Sequence, residues 1–377
     1  MSNFGFGTLA AKRSDLAVDS APLQDSVPVT VLTGFLGSGK TTLLRRALTD
    51  PAFFDTAVVI NEIGEIAIDH YLVDFVEGEV FELPGGCLCC AVREDLAETL
   101  RSLIERRDSG EVRRFRRIVI ETSGLADPAP ILFTLGGDPM LDQRLRLGRV
   151  VTLVDAVAGI ATLDRFAEAA RQAAVADALV ISKTDLAPFS EMLAARLYVL
   201  NPGAERISGA AATDPAAVLF VDGAAPHRNP LPARGERESD AERRTGEGDH
   251  VHSHGISAFT VILGGAVSRL DFARALGGLA QSRGNDLLRV KGILAFADRP
   301  ERPAVVQAAQ HAMFAPEWLS DWPDHDHRSR LVFVVHDITP GEILARFAFA
   351  SPALLGPQAS RLHAGGTPAV RHPTFPE

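Results

Sequence analysis

Val27-Pro28-Val29-Thr30-Val31-Leu32-Thr33-Gly34-Phe35-Leu36-Gly37-Ser38-Gly39-Lys40-Thr41-Thr42 is the stretch that decides the fold. Residues 27–33 form a β-rich run ending at a glycine loop, and residues 41–48 read as a helix. Between them, Gly34-x-x-x-x-Gly39-Lys40-Thr41 matches the phosphate-binding pattern in full, in the strand-to-helix context it requires. Glycines let backbone N–H groups turn inward around phosphates. Lys40 brings its charge to the β and γ oxygens, Thr41 offers a hydroxyl to Mg²⁺, and the helix N-terminus adds its dipole. Gly34, Gly37, Ser38, Gly39, Lys40, Thr41 and Thr42 are therefore expected to hold a nucleotide, with Lys40 and Thr41 also serving its chemistry. A chance Lys-Thr after a glycine turn is the bland alternative, and the agreement of pattern with context argues against it.

Outward from this loop, short apolar runs recur at residues 57–60, 117–120, 150–154 and 178–181. Helical patterns lie between several of them, at 94–106 and 165–176. Short buried strands alternating with helices predict an α/β fold with a mostly parallel sheet, a P-loop NTPase. After residue 221 the composition turns to Pro, Gly, Arg, Glu and Asp, too poor in apolar side chains to offset the entropy of ordering. The expected organisation is a flexible N-terminal tail over 1–26, a nucleotide domain over 27–221 and a His-containing linker over 222–255. A smaller C-terminal α+β domain follows over 256–350, then a fraying tail over 351–377. In the second domain, strands are expected at 256–263, 291–294 and 330–335, with a helix at 341–349.

With 377 residues the chain is long enough for about two domains. Its net charge of −10 argues against a nucleic-acid partner, which usually meets a basic face. No run of about 18 apolar residues exists for a membrane span, and the acidic N-terminus does not read as a secretory signal. The cysteines number three, two of them adjacent, which disfavours a disulfide framework and suits a reducing cytoplasm.

Three further motifs carry chemistry. Ser182-Lys183-Thr184-Asp185 follows an apolar run, where a P-loop GTPase carries Asn-Lys-x-Asp. Asp185 can accept from guanine N1–H and the exocyclic amine, a donor pair adenine lacks, so a buried Asp185 would reject adenine. The Lys183 stem would pack on the base, and Ser182 is shorter than the usual Asn. Next, Ile118-Val119-Ile120-Glu121-Thr122-Ser123-Gly124-Leu125-Ala126-Asp127-Pro128 delivers an acid at a strand end. Glu121 is the candidate catalytic acid and Mg²⁺ contact, and Gly124 the backbone donor to the γ-phosphate. Asp155, at the end of the next strand, is either a second acid or a helix N-cap. Lastly, Gly85-Gly86-Cys87-Leu88-Cys89-Cys90 gathers all the thiols in one window. Thiolates bind Zn²⁺, Co²⁺ or Cu⁺. Cys87, Cys89 and Cys90 leave at least one tetrahedral position open, which Glu62 or Glu65 of Asn61-Glu62-Ile63-Gly64-Glu65 could fill. A buried trio of thiols and a redox switch are the competing readings. In the redox case Cys87 would have to take part, since Cys89 and Cys90 are adjacent.

Together these pieces resemble the CobW-like family of P-loop GTPases, relatives of the nickel-insertion GTPases of urease and hydrogenase maturation. The resemblance covers most of residues 27–200. It extends more weakly to Arg289-Val290-Lys291-Gly292 and Arg330-Leu331-Val332-Phe333. It implies a GTP-hydrolysing metallochaperone that holds a divalent metal, most often zinc, on Cys87, Cys89 and Cys90 and hands it to a metal-dependent client protein. Metal binding would promote GTP turnover, and a nucleotide-dependent homodimer is a further expected partner. Short histidine tracts at 249–254 and 324–327 would play the part of the family's His-rich stretch. Two other functions compete: a non-catalytic metal buffer or sensor, and a P-loop small-molecule kinase with Arg113, Arg114, Arg116 and Arg117 as a lid.

Overall fold

A computed structural model describes residues 26–61, 80–82, 91–208, 214–220, 254–323 and 325–355. The first domain is a seven-stranded parallel sheet among these residues. Its strands are β1 (Val27–Gly34), β2 (Thr56–Asn61), β3 (Val80–Glu82), β4 (Arg117–Thr122), β5 (Leu145–Asp155), β6 (Ala178–Ser182) and β7 (Glu205–Ile207). They lie in the order β3-β2-β4-β1-β5-β6-β7. The crossovers carry α1 (Lys40–Leu48), α2 (Ala91–Ser109), α3 (Ala129–Gly137), α4 (Pro139–Arg144), α5 (Gly159–Arg165), α6 (Ala167–Ala174), α7 (Glu191–Leu200) and α8 (Pro215–Leu219). A strand covered on both faces has no polar side to show, which is why these strands read as unbroken apolar runs. Alternate residues of β1 divide accordingly: Val29 and Val31 join one core, Leu32 the other.

One helical pattern resolves into two pieces. The expected helix over 165–176 is α5 ending and α6 beginning, with Phe166 between them in extended backbone at φ −120°. Its ring stacks on Phe35 of the phosphate loop at 4.6 Å, and this packing outweighs helical continuity.

The second domain is an antiparallel sheet with helices on one face. Its strands are β8 (Ile256–Leu263), β9 (Arg289–Phe296), β10 (Arg299–Ala309), β11 (Ala312–Met313), β12 (Glu317–Trp318), β13 (Ser329–His336) and β14 (Ala353–Leu355). The order is β11-β10-β9-β13-β8-β14, with β12 paired to β10. Helices α9 (Arg269–Arg283) and α10 (Pro340–Arg346) complete it. Segment 353–355, read in the sequence as the start of a fraying tail, pairs with β8 at the sheet edge. Long strand β10 and helix α9 had no expectation attached.

Side-chain alternation along β13 explains how the two domains meet. Leu331, Phe333 and Val335 point into the core shared with α9 and α10, whereas Val332 and Val334 join the core of the first domain. Gly292 permits the close pairing of β9 with β13, since a Cβ there would lie 2.8 Å from Leu331 Cα. At this seam Asp177, just before β6, accepts from Lys291 Nζ at 2.8 Å and from Arg289 Nη2 at 3.2 Å. The backbone N–H of Val150 adds a third donor at 2.9 Å.

Candidate nucleotide site

The parallel sheet brings the C-terminal ends of β1, β4, β5 and β6 to one edge, so the four motif loops following them converge. Gly39, with φ 99°, caps α1 in a left-handed conformation that a Cβ would strain, and it aims the first turn of the helix at the loop. Lys40 is 7% exposed, and its Nζ donates to Gly34 O at 2.8 Å and Phe35 O at 3.4 Å. That holds the ammonium across the mouth of the loop. Thr41 Oγ1 donates to Glu121 Oε1 at 2.9 Å, and Glu121 is buried at 2% exposure. A hydroxyl and a carboxylate side by side are hard oxygen donors, the kind Mg²⁺ takes. Thr122 Oγ1 donates to Thr33 Oγ1 at 2.8 Å, tying β4 to β1 beneath them.

Gly124 presses on the phosphate loop itself. A Cβ at that position would sit 2.8 Å from both Leu36 Cα and Leu36 N. The loop carrying it is held from behind by Gln172, fully buried on α6, whose Nε2 donates to Gly124 O at 3.2 Å and Ala126 O at 2.9 Å. Gln172 was missed in the sequence. Its only signal there is an uncharged polar side chain on an alanine-rich helix whose other polar residues, Glu168 and Arg171, are charged.

The base loop is joined to the phosphate loop. Ser182 Oγ donates to Ser38 O at 2.6 Å, so the short side chain bridges two loops. Lys183 has φ 56° and pairs through Nζ with Asp155 Oδ2 at 2.5 Å, which stretches its stem across the loop. Asp155 Oδ1 in turn accepts from the N–H groups of Val157 and Ala158 at 2.7 and 3.3 Å. Burial alone would raise the Asp155 carboxyl. The Lys183 ammonium and the two N–H donors outweigh it and hold the group below the usual carboxylate range. Asp155 is thereby committed to the turn and to Lys183. Asp185 stands exposed at the same edge, not buried as expected for rejecting adenine.

Glu62, Glu65, Cys87, Cys89 and Cys90 fall outside the described residues. Among the described residues no group of three or more His, Cys, Asp or Glu is placed to hold a metal. In the 324–327 tract Asp326 is paired with Arg328 and Arg330, and its hydrogen bonds from Arg328 hold its carboxyl down to about 2. His327 stacks on Trp322. Arg113, Arg114, Arg116 and Arg117 precede or begin β4, at the opposite sheet edge from the phosphate loop, so they form no lid over it. Arg117 is spent on Asp55, Ala52 O and the Phe220 ring.

Two family models match the chain. The CobW/HypB/UreG nucleotide-binding domain covers residues 28–208, and the cobalamin synthesis protein CobW C-terminal domain covers residues 256–350. The zinc chaperone YjiA of Escherichia coli is 32% identical over 323 residues, 85% of this chain and 98% of that protein. This chain belongs to the CobW/HypB/UreG family. The zinc chaperone CobW of Pseudomonas aeruginosa is likewise 32% identical, over 84% of this chain and 89% of its own length. The crystal structure of Zn(II)-bound YjiA GTPase superposes with a TM-score of 0.62 at 28% identity, covering 86% of this chain and 99% of that one. The two models between them account for both halves: the CobW/HypB/UreG model for the P-loop GTPase domain and the CobW C-terminal model for the antiparallel domain docked on it.

Proposed function

We propose that this GTPase is a zinc chaperone that hydrolyses GTP and passes the metal to a metal-dependent client protein. The observation that carries the reading is the Thr41–Glu121 pair beside Lys40, with Gly124 packed on the same loop. These residues supply charge neutralisation at the phosphates and a backbone that can follow the γ-phosphate. Thr41 and Glu121 would hold Mg²⁺, which when bound neutralises developing charge on the phosphates. Lys40 would balance the β and γ oxygens, while Asp185 selects guanine and Ser182 keeps the base loop registered on Ser38. Gly124 and the residues after Glu121 would act as a switch segment, ordered by GTP and released on hydrolysis.

Zinc is the cargo in this reading. The names of the similar proteins YjiA and CobW support zinc, and so does the thiol window, with Glu62 or Glu65 completing the ligand set. That window needs reduced thiols, consistent with the cytoplasm, and no described helix is long and apolar enough to cross a membrane. Leu36, Leu125, Val157 and Leu186 are 51–71% exposed on loops that follow β1, β4, β5 and β6, at the nucleotide edge. Such an apolar rim would suit a nucleotide-dependent partner, either a client or a second copy of the chain.

The test is a zinc titration of the full chain under reducing conditions, with GTP or GDP bound, beside a Cys87/Cys89/Cys90 triple-serine variant. The reading expects stoichiometric zinc in the native chain, an affinity that differs between the two nucleotides, and loss in the variant. Equal affinities in the two states would remove the coupling.

A further inference from the structure

Gln172 is the one buried residue of α6 that is not alanine. Its backbone is pinned to β5, where Thr152 Oγ1 donates to Gln172 O at 2.7 Å. The end of the helix is pinned as well: Asn201 Nδ2 donates to Ala173 O, Ala174 O and Ala176 O at 3.1, 2.8 and 2.8 Å. The side chain therefore starts from a fixed point. It faces two carbonyl oxygens, Gly124 O and Ala126 O, and only the NH₂ of an amide satisfies both. The other amide atom, Oε1, is buried and makes no hydrogen bond among the described residues. An acceptor left unmade in a dry place costs stability, so a side chain kept only for packing would be apolar here.

The two held carbonyls belong to one turn. Ala126 N–H donates to Ser123 O at 3.1 Å and closes Ser123-Gly124-Leu125-Ala126. A peptide unit is planar, so holding Gly124 O fixes the plane that follows Gly124. With it goes the ψ of the one turn residue that has no Cβ to limit it. Gly124 is also the residue packed against Leu36 of the phosphate loop. Arg171 Nη1 lies 3.7 Å from Asp127 Oδ2, a part-exposed pair that adds little.

We propose that Gln172 is a positioning residue for GTP hydrolysis, its amide fixing the turn after β4 so that the Gly124 N–H stands ready for the γ-phosphate. Its role rests on the reading of Gly124 as the γ-phosphate donor. A donor fixed in advance needs no reordering when GTP binds or reacts. GDP lacks the γ-phosphate, so Gln172 acts on GTP and leaves GDP alone.

Gln172→Met keeps the length and removes the donors. Asn201→Leu is its comparison, since it loosens the same helix and leaves both bonds to the turn in place. Single-turnover GTP hydrolysis and calorimetric titration with GDP and with a non-hydrolysable GTP analogue are read on the full chain. Gln172→Met should hydrolyse GTP about 30-fold more slowly. It should bind the analogue about fivefold more weakly and GDP as the native chain does. Asn201→Leu should melt at a lower temperature and hydrolyse GTP at a near-native rate. Gln172→Met joined to Gly124→Ala should be no slower than Gly124→Ala alone, because one residue acts through the other. Should Gln172→Met fail to fold, Gln172→Asn, which withdraws the amide by one CH₂, replaces it with the same expectations. Equal slowing by the Gln172 and Asn201 variants, equal losses of GDP and analogue, or additive effects of the Gln172–Gly124 pair would overturn the role. Native-rate hydrolysis by Gln172→Met beside an inactive Lys40→Ala would remove the positioning role and keep the GTPase. Turnover that survives Lys40→Ala would remove the hydrolysis reading instead, and the contrast between analogue and GDP binding then decides Gln172 by itself.

Discussion

At the phosphate loop, backbone geometry prepares the binding: Gly39 in a left-handed turn, Gly124 against Leu36, carbonyls of Gly34 and Phe35 under Lys40. At the domain seam, side chains do: Asp177 reaches across to Arg289 and Lys291, 112 and 114 residues away in the chain. The first region tolerates no added atoms, and the second no lost charge. The two therefore fail differently when altered, which makes the contrast testable.

Removing the seam's carboxylate should have the largest effect. Asp177→Ala strands two cations at a buried interface, which costs about 3–5 kcal/mol, and denaturant unfolding reads it. Protonation should do the same. Burial would raise the Asp177 carboxyl, yet Lys291, Arg289 and the Val150 N–H hold it far below the usual carboxylate range. A depressed carboxylate stabilises the fold above its unfolded value, near pH 4, and that contribution falls away as pH drops further. Stability of the native chain should therefore decline below about pH 4, and Asp177→Ala should flatten the decline.

At the other region, Gly124→Ala should cost less stability than Asp177→Ala and cut GTP turnover by roughly 100-fold, because a methyl displaces the Leu36 backbone and with it the phosphate loop. Single-turnover hydrolysis measures this. A seam-like loss of stability without loss of turnover would erase the contrast. Gln172→Leu, which deletes the two hydrogen bonds to Gly124 O and Ala126 O, should cost about 2 kcal/mol, seen as a lower denaturant midpoint. Ser182→Ala should be mildest: nucleotide affinity about fivefold weaker for loss of one hydrogen bond to Ser38 O, with preference for GTP over ATP unchanged because Asp185 remains. Calorimetric titration with both nucleotides distinguishes the two effects.

The same contrast explains what could be read from the chain. Lys40, Thr41, Glu121, Gly124 and Ser182 sit in short local patterns at strand ends, and parallel strands deliver such ends to one edge, so their meeting was legible. The expected strands at 57–60, 117–120 and 178–181 lie inside β2, β4 and β6 for the same reason. Gln172 and Asp177 carry no local pattern, since their partners are distant and only the packing of α6 and β9 supplies them. The break at Phe166 was hidden likewise, because its cause is the ring of Phe35 across the sheet edge. The role of Arg289 and Lys291 became visible only where Asp177 meets them. Cys87, Cys89, Cys90, Glu62 and Glu65 remain a reading of the sequence, tested by zinc binding.

The proposed chaperone role requires zinc-responsive GTP turnover driven by the phosphate loop. Its most direct test is phosphate release from GTP and from ATP by the native chain and by Lys40→Ala, with and without stoichiometric zinc. Zinc should raise the native rate with GTP, ATP should be a poor substrate, and Lys40→Ala should lose at least about 100-fold. Turnover that survives Lys40→Ala, or that zinc leaves unchanged, would contradict it.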